Sequence, residues 1–200
     1  MNRATRLGTR PAWPWIGLVL VPVGVAWLLL AGPPITSFDG LLILAALAMP
    51  LHQAEEYLWP GDFRVFFNHA VLGGDVTGPL TPRRALVVNL IVAWVALPAM
   101  AWQGSATPVF GLVGLAVLLV NGLLHGLTSL LARRYTAGTL TGLLVFVPLG
   151  VLGGEAALAE GLADTGALRS LVGAALLGHL ALVAILRLAG RRAPDDTANR

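Results

Sequence analysis

Residues 41–58 read LLILAALAMPLHQAEEYL, an apolar run that ends in a cluster of polar residues. The run is long enough to form most of a membrane span, because a helix needs roughly 20 residues to cross the hydrocarbon core. Its last part places Glu55 and Glu56 three and four residues after His52, on the same face of a helix. Ionisable residues inside a membrane are energetically unfavourable and usually mark a functional site. The segment therefore predicts a membrane helix that carries a candidate site.

The composition of the whole chain indicates a membrane protein. Of its 200 residues, 56% are hydrophobic and 12% are charged, whereas a soluble domain carries roughly 25% charged residues. The sequence contains no cysteine, which excludes disulfides, thiolate metal sites and cysteine nucleophiles. The net charge is only +3. We therefore expect the lipid bilayer as the main partner and no binding of nucleic acid.

Six apolar segments predict an all-α fold, a polytopic bundle of about six transmembrane helices. They span residues 15–31, 41–58, 85–102, 109–131, 138–155 and 170–189. The first segment is longer than the apolar region of a secretory signal, which has about 7–15 residues, so we expect a retained span. The predicted division is an N-terminal segment 1–14, a transmembrane domain 15–190 and a tail 191–200. The connection 59–84 contains Phe63, Phe66 and Phe67, which suit a short helix at the membrane interface.

The positions of the arginines predict the orientation of the bundle. With a cytoplasmic N-terminus and six spans, Arg169 is the one arginine on the outer side. The other arginines lie on or near the cytoplasmic side: Arg3, Arg6, Arg10, Arg64, Arg83, Arg84, Arg133, Arg134, Arg187, Arg191, Arg192 and Arg200. This asymmetry is typical of membrane proteins, and it would be lost without the span at 41–58. We expect both termini in the cytoplasm and a location in a bacterial inner or plasma membrane.

On this topology, polar residues of five helices lie at a similar depth on the cytoplasmic side. They are His52, Glu55, Glu56, Asn89, Asn121, His125, Thr128, Thr139, Thr141 and His179. Asn121, His125 and Thr128 follow one another at helical spacing and form a single stripe. The sequence therefore predicts a polar pocket inside the bundle, open toward the cytoplasm. His69, in the connection 59–84, is expected to be solvated.

The chain resembles a family of membrane proteins named for its HXXEE motif. The match is His52-Gln53-Ala54-Glu55-Glu56, followed by a second histidine in Asn121-Gly122-Leu123-Leu124-His125. The family's Tyr-x-Pro-Gly motif has a counterpart in Tyr135-Thr136-Ala137-Gly138, where alanine replaces the proline. The resemblance covers roughly residues 40–190 and implies a conserved site, but no established function.

The residue types of the site favour a divalent metal. Imidazole and carboxylate ligands without sulfur suit zinc, our preferred metal, and also iron or manganese. His52, His125 and either Glu55 or His179 are the predicted ligands, and they leave a fourth position for water. Glu56 would take a proton from that water as the catalytic base. The predicted reaction is hydrolysis of a lipid or another hydrophobic substrate.

Other interpretations of the same residues stay open. Histidine–carboxylate clusters also serve as proton relays or as sites of proton-coupled transporters, although no inverted repeat is visible in the sequence. A third hypothesis is a non-catalytic assembly subunit whose polar residues hold the helices together. In each case Asn89, Asn121, Thr128 and Tyr135 are predicted to support the site. The sequence does not specify an oligomeric state.

Overall fold

The computed structural model describes residues 11–75 and 78–191, which form helices and no β-strand. The helices are α1 (Trp13–Ala31), α2 (Phe38–Tyr57), α3 (Phe63–Phe66, continued by the π-helical turn Phe67–Val71), α4 (Pro82–Ala106), α5 (Pro108–Ala132), α6 (Thr139–Ala159) and α7 (Thr165–Arg191). The predicted terminal segments 1–14 and 191–200 lie mostly outside the described residues.

Five of these helices, namely α1, α4, α5, α6 and α7, are long and apolar enough to cross a membrane. The prediction of an all-α, membrane-type bundle is thus confirmed. The remaining long helix, α2, has 20 residues, which corresponds to a length of about 30 Å. It is less apolar than the others because its second half carries the HXXEE motif.

Helix α2 lies in the centre of the bundle and contacts α1, α4, α5 and α6. Thirteen of its 20 residues are buried. On one side Gly17 of α1 leaves room for the Pro50 ring, and on the other Leu42 and Met49 join a core that includes Leu118. Protein therefore surrounds α2 where lipid surrounds the outer helices, which explains how it accommodates polar side chains.

The outer helices expose many large apolar side chains. Leu30 of α1 and Trp102 of α4 are 87% and 89% exposed, and most of α7 is also uncovered. Such surfaces are not stable in water over so large an area. They indicate that α1, α4 and α7 face lipid.

Helices α4 and α6 each contain a π-helical segment, Leu90–Ala96 and Gly142–Phe146. In both helices a proline, Pro98 or Pro148, follows the segment two residues later. Proline lacks an N–H group, and its ring displaces the carbonyl four residues earlier, which favours a wider turn. Such segments occur frequently at functional sites. The one in α6 directly follows Thr141 and ends with Phe146, two residues that contact His52.

The predicted short helix after α2 is present as α3. Its Phe63 ring packs against Tyr57 and His125. The buried Asn68 side chain accepts a hydrogen bond from the N–H group of Leu80 and donates one to its carbonyl. The segment thus covers the end of the bundle at which α2 ends, which we call the inner end, and it packs on protein there. His69 is exposed, as expected.

Candidate metal centre

Three buried side chains meet at the inner end of the bundle. His52 and Glu56 are one helical turn apart on α2, and His125 reaches them from α5. Glu56 Oε1 lies 3.6 Å from His52 Nε2 and 3.4 Å from His125 Nε2. One ligand atom from each residue lies within 4.8 Å of the others. These are the residues of the described chain that could hold a metal ion together.

Aromatic rings and one glycine hold the two histidines in place. Phe146 lies 4.5 Å from the His52 ring and Phe63 lies 5.3 Å from the His125 ring, measured between ring centroids. Gly138 has a φ of +92° and packs directly on the His125 imidazole, so that a Cβ at this position would overlap the ring. Position 138 therefore requires glycine for two reasons, its backbone conformation and the space that the imidazole occupies.

Glu55, next to Glu56, points to the start of α6. Its Oε1 accepts hydrogen bonds from the Leu140 N–H group at 2.9 Å and from the Tyr135 hydroxyl at 2.5 Å. Its Oε2 accepts from the Thr141 N–H group at 2.7 Å and from the Thr141 hydroxyl at 2.5 Å. Glu55 thus satisfies N–H groups that the first turn of α6 leaves without helical partners, and its negative charge suits a helix N-terminus.

The turn between α5 and α6 is fixed by hydroxyl groups. Burial and the neighbouring Glu55 carboxylate raise the pKa of Tyr135 above its ordinary value, so its hydroxyl stays protonated and can donate. Ser129 lies within hydrogen-bond distance of Thr136 and Thr139, and Thr128 donates to the carbonyl of His125. Tyr135 and Thr128, which were predicted to support the site, therefore contact Glu55 and the His125 carbonyl directly.

A second polar network connects α2 to α4. The Gln53 side chain accepts a hydrogen bond from Trp94 Nε1 at 3.1 Å and donates one to Asn89 Oδ1 at 3.1 Å. Asn89 in turn donates to the Tyr57 hydroxyl at 2.9 Å. Gln53 is fully buried. The sequence pattern predicted Asn89 at this depth but gave no role to Gln53, whose polarity within an apolar helix was the available signal.

Three buried side-chain polar atoms have no hydrogen-bond partner among the described residues: His52 Nε2, Asp62 Oδ1 and Asn121 Oδ1. Buried polar groups are paired in the great majority of cases. The unpaired nitrogen of His52 points to Glu56 and His125, and it is therefore available to an ion bound by these three residues.

The structure brings together three of the five residues predicted to act at the site, His52, Glu56 and His125. Glu55 lies beside them but is occupied by the first turn of α6. His179 lies in α7, where its Nδ1 is 2.8 Å from the carbonyl oxygen of Ala175 one turn earlier, and it is not part of the cluster. The sequence predicted Glu55 as a ligand and Glu56 as a base. In the structure Glu56 faces the two histidines and Glu55 does not.

A groove of about 370 Å³ lies elsewhere, between α5, α6 and α7. Its lining is mostly apolar, with Glu155 and Arg169 among the polar residues, and it contains no residue of the cluster. The groove is therefore separate from the cluster.

The fold and the cluster define this chain as a membrane-type helical protein with a buried His/Glu group. The sequence matches the family described as "protein of unknown function with HXXEE motif" over residues 43–152, and the chain belongs to that family. The match includes His52, Glu55, Glu56, His125 and the turn at Tyr135, but not His179. Neither the curated proteins nor the solved structures contain a significant match.

Proposed function

We propose that His52, Glu56 and His125 bind one divalent metal ion, zinc by preference, and that the protein is a metal-dependent membrane enzyme. The chemistry that we assign to it is hydrolysis of a lipid or another hydrophobic substrate. The observation that supports this most directly is the position of Glu56, whose carboxylate lies next to two imidazole nitrogens inside the bundle.

The distances from Glu56 to the two histidines are long for hydrogen bonds and fit a shared metal ion. The separations of 3.4 and 3.6 Å between Glu56 Oε1 and the two Nε2 atoms exceed the usual N–H···O range of about 2.7–3.2 Å. Two ligand atoms on a tetrahedral zinc ion lie about 3.3 Å apart when each bond is about 2.0–2.1 Å. The pairs that involve Glu56 are therefore spaced as ligands are.

The donor set also fits the proposal. Two neutral imidazoles and one carboxylate are ligands that zinc, iron and manganese accept. Three protein ligands leave a fourth position for water, as in catalytic zinc sites, where the metal lowers the pKa of bound water to about 7. In this proposal Glu56 would hold the metal together with the two histidines, and the metal would supply hydrolytic chemistry by activating water. Glu55 keeps its place at the start of α6.

For the membrane we propose six spans with both termini in the cytoplasm and the site in the cytoplasmic half of a bacterial inner or plasma membrane. Burial of α2 within the bundle supports counting it as the sixth span. Residues predicted to share the cytoplasmic end also contact each other, because Arg187 donates to the carbonyl of Val71 and Arg134 lies over the Phe66 ring.

Metal analysis of detergent-purified protein tests the proposal. We expect about one zinc per wild-type chain and a loss of that metal in His125→Ala. The matched control is His69→Ala, since this histidine is exposed and outside the cluster, and it should retain the metal. Size-exclusion profiles in detergent establish that each variant is folded. A wild-type protein that stays metal-free after incubation with zinc, or unchanged metal content in His125→Ala, would overturn the metal site.

The enzymatic part is tested separately with the zinc-loaded protein. Chromogenic acyl esters of increasing chain length are suitable probes, because the aromatic lining of Phe63 and Phe146 favours apolar substrates. We expect hydrolysis that rises with chain length and disappears in His125→Ala.

The burial of the cluster favours a second candidate, a non-catalytic metal that fastens α2 to α5. His52, Glu56 and His125 are only 2%, 6% and 6% exposed, and structural metal sites are typically closed. Stoichiometric zinc, no hydrolysis of any probe and a large loss of thermal stability on chelation would select this candidate.

A further inference from the structure

We propose that Thr141 is a positioning residue that fixes the tautomer of His52. In this arrangement the Thr141 hydroxyl accepts the Nδ1 proton of His52 as a hydrogen bond, and the lone pair of Nε2 is left for the metal. The inference rests on the proposed metal site, but it makes a statement about proton positions that can be measured without any metal.

The first step is the state of Glu55. Each of its oxygens accepts a hydrogen bond from a backbone N–H group, Oε1 from Leu140 and Oε2 from Thr141. Backbone N–H groups can only donate, and an ionised carboxylate can only accept. With the Tyr135 hydroxyl added on Oε1, the surroundings of Glu55 supply donors on both sides. They favour the carboxylate form.

The second step is the single proton of the Thr141 hydroxyl. Its oxygen lies 2.5 Å from Glu55 Oε2 and 2.7 Å from His52 Nδ1. Because the carboxylate has no proton to give, the hydroxyl proton must point to Glu55. The Thr141 oxygen can then only accept from His52, so the imidazole proton lies on Nδ1.

The third step concerns the other nitrogen of the ring. With its proton on Nδ1, a neutral His52 carries a lone pair on Nε2. That atom is buried, has no hydrogen-bond partner among the described residues and lies 3.6 Å from Glu56 Oε1. Two acceptor atoms face each other there without a proton between them. A cation bound by both removes this conflict, so the Nδ1 tautomer favours the proposed metal site.

The motif therefore contains two glutamates with different tasks. Glu56 faces the cluster directly, and Glu55 acts on it through Thr141 and His52. This chain of carboxylate, hydroxyl and imidazole extends the common arrangement in which a metal-ligating histidine donates its other N–H group to a fixed acceptor. It also gives a role to Thr141, which lies in the first turn of α6 and contacts both Glu55 and His52.

Nitrogen-15 NMR of histidine-labelled protein measures the tautomer. The chain has four histidines, and His52→Gln identifies the His52 signals by their absence. In protein stripped of metal with a chelator, we expect the proton of His52 on Nδ1 in the wild type and in Thr141→Ser. In Thr141→Val, which keeps the shape but loses the hydroxyl, we expect a substantial shift of the proton to Nε2.

Zinc titration of the same variants gives the second readout. Loss of an outer hydrogen bond to a metal ligand costs roughly 10–100-fold in metal affinity, and we expect a loss of that size in Thr141→Val with near wild-type affinity in Thr141→Ser. The matched control is Thr107→Val. It removes a hydroxyl that donates to the Gln103 side chain at the start of α5, at the opposite end of that helix from His125, so both the tautomer and the affinity should stay close to wild type.

A proton on Nε2 of wild-type His52 in the metal-free protein, whether in the other neutral tautomer or in the imidazolium form, would overturn the inference. So would a Thr141→Val variant whose His52 keeps the wild-type tautomer. If the wild type shows the Nδ1 tautomer but binds no zinc, the proposed function fails and the role of Thr141 stands. The two failures can thus be told apart.

Discussion

Carboxylates lie at both ends of α2, but in different surroundings. At its N-terminal end, which we call the outer end, Glu160 accepts a hydrogen bond from the Phe38 N–H group at 2.8 Å, and Asp39 accepts two from Ser105. At the inner end, Glu56 faces the nitrogens of His52 and His125 at distances longer than a usual hydrogen bond. The outer carboxylates are matched by N–H and O–H donors, whereas Glu56 is matched by atoms that can bind the same cation.

This difference separates a structural carboxylate from a candidate ligand. A carboxylate at a helix start needs donors and finds them in the backbone. Glu55 belongs to this structural class although it lies at the inner end, because its partners are the first N–H groups of α6. Glu55 and Glu56 of one motif therefore differ: the hydrogen-bond partners of Glu55 mark it as a structural carboxylate, and the histidines beside Glu56 mark it as a candidate ligand.

The largest effect on zinc affinity is expected for Glu56→Gln. The substitution keeps the shape of the side chain and removes the charge that would balance a metal. Because loss of an outer-sphere partner already costs roughly 10–100-fold, we expect zinc affinity to fall by more than about 100-fold. Isothermal titration in detergent measures this, with Glu160→Gln at the outer end as the matched control. Equal affinity in the two variants would contradict the assignment of Glu56.

A smaller effect is expected from alanine at two glycines with positive φ. Gly138, in the turn between α5 and α6, has a φ of +92°, and Gly161, in the turn between α6 and α7, has a φ of +70°. Both alanine variants should lose about 1–3 kcal/mol of unfolding free energy from backbone strain. Only Gly138→Ala should also weaken zinc binding, because its new methyl group meets the His125 ring, whereas nothing lies within 4 Å of that position at Gly161.

Unfolding in mixed detergent micelles and zinc titration separate the two contributions. If Gly161→Ala weakened zinc binding as much as Gly138→Ala, strain alone would account for the effect and the contact with His125 would be irrelevant to the site.

The smallest effect is expected for Glu160→Ala at the outer end. It removes the acceptor of the Phe38 N–H group, and comparable losses at helix starts cost about 0.5–2 kcal/mol. We expect a decrease of that size in unfolding free energy with unchanged zinc affinity, since the substitution lies at the other end of α2. A change in zinc affinity would show that the two ends of α2 are energetically coupled, and it would contradict their independence.

Much of the fold follows from local sequence. The predicted segments 15–31, 41–58, 85–102, 109–131, 138–155 and 170–189 each overlap a helix of the structure, because helices in an apolar solvent must satisfy their backbone groups internally. The π-helical segments of α4 and α6 were not predicted. Pro98 and Pro148 indicate an irregular helix. A proline is compatible with a kink or with a wide turn, and the packing of neighbouring helices selects one of the two.

The candidate site was predicted in part. Helical spacing and the arginine pattern placed His52, Glu56 and His125 at one depth, and these residues meet in the structure. Depth does not specify direction around a helix axis, so His179 was predicted as an alternative ligand to Glu55 although it lies outside the cluster. The same limit hid the hydrogen bonds between Gln53 and Trp94.

Composition and hydrophobic periodicity are properties of the sequence alone, and they were sufficient to predict a helical membrane protein with polar residues in one of its helices. The tertiary structure was needed to show which groups each glutamate of the motif contacts. Glu55 and Glu56 are chemically identical neighbours, and helical geometry turns them about 100° apart. That rotation points one to the first turn of α6 and the other to two histidines, and these partners become neighbours only when the helices pack.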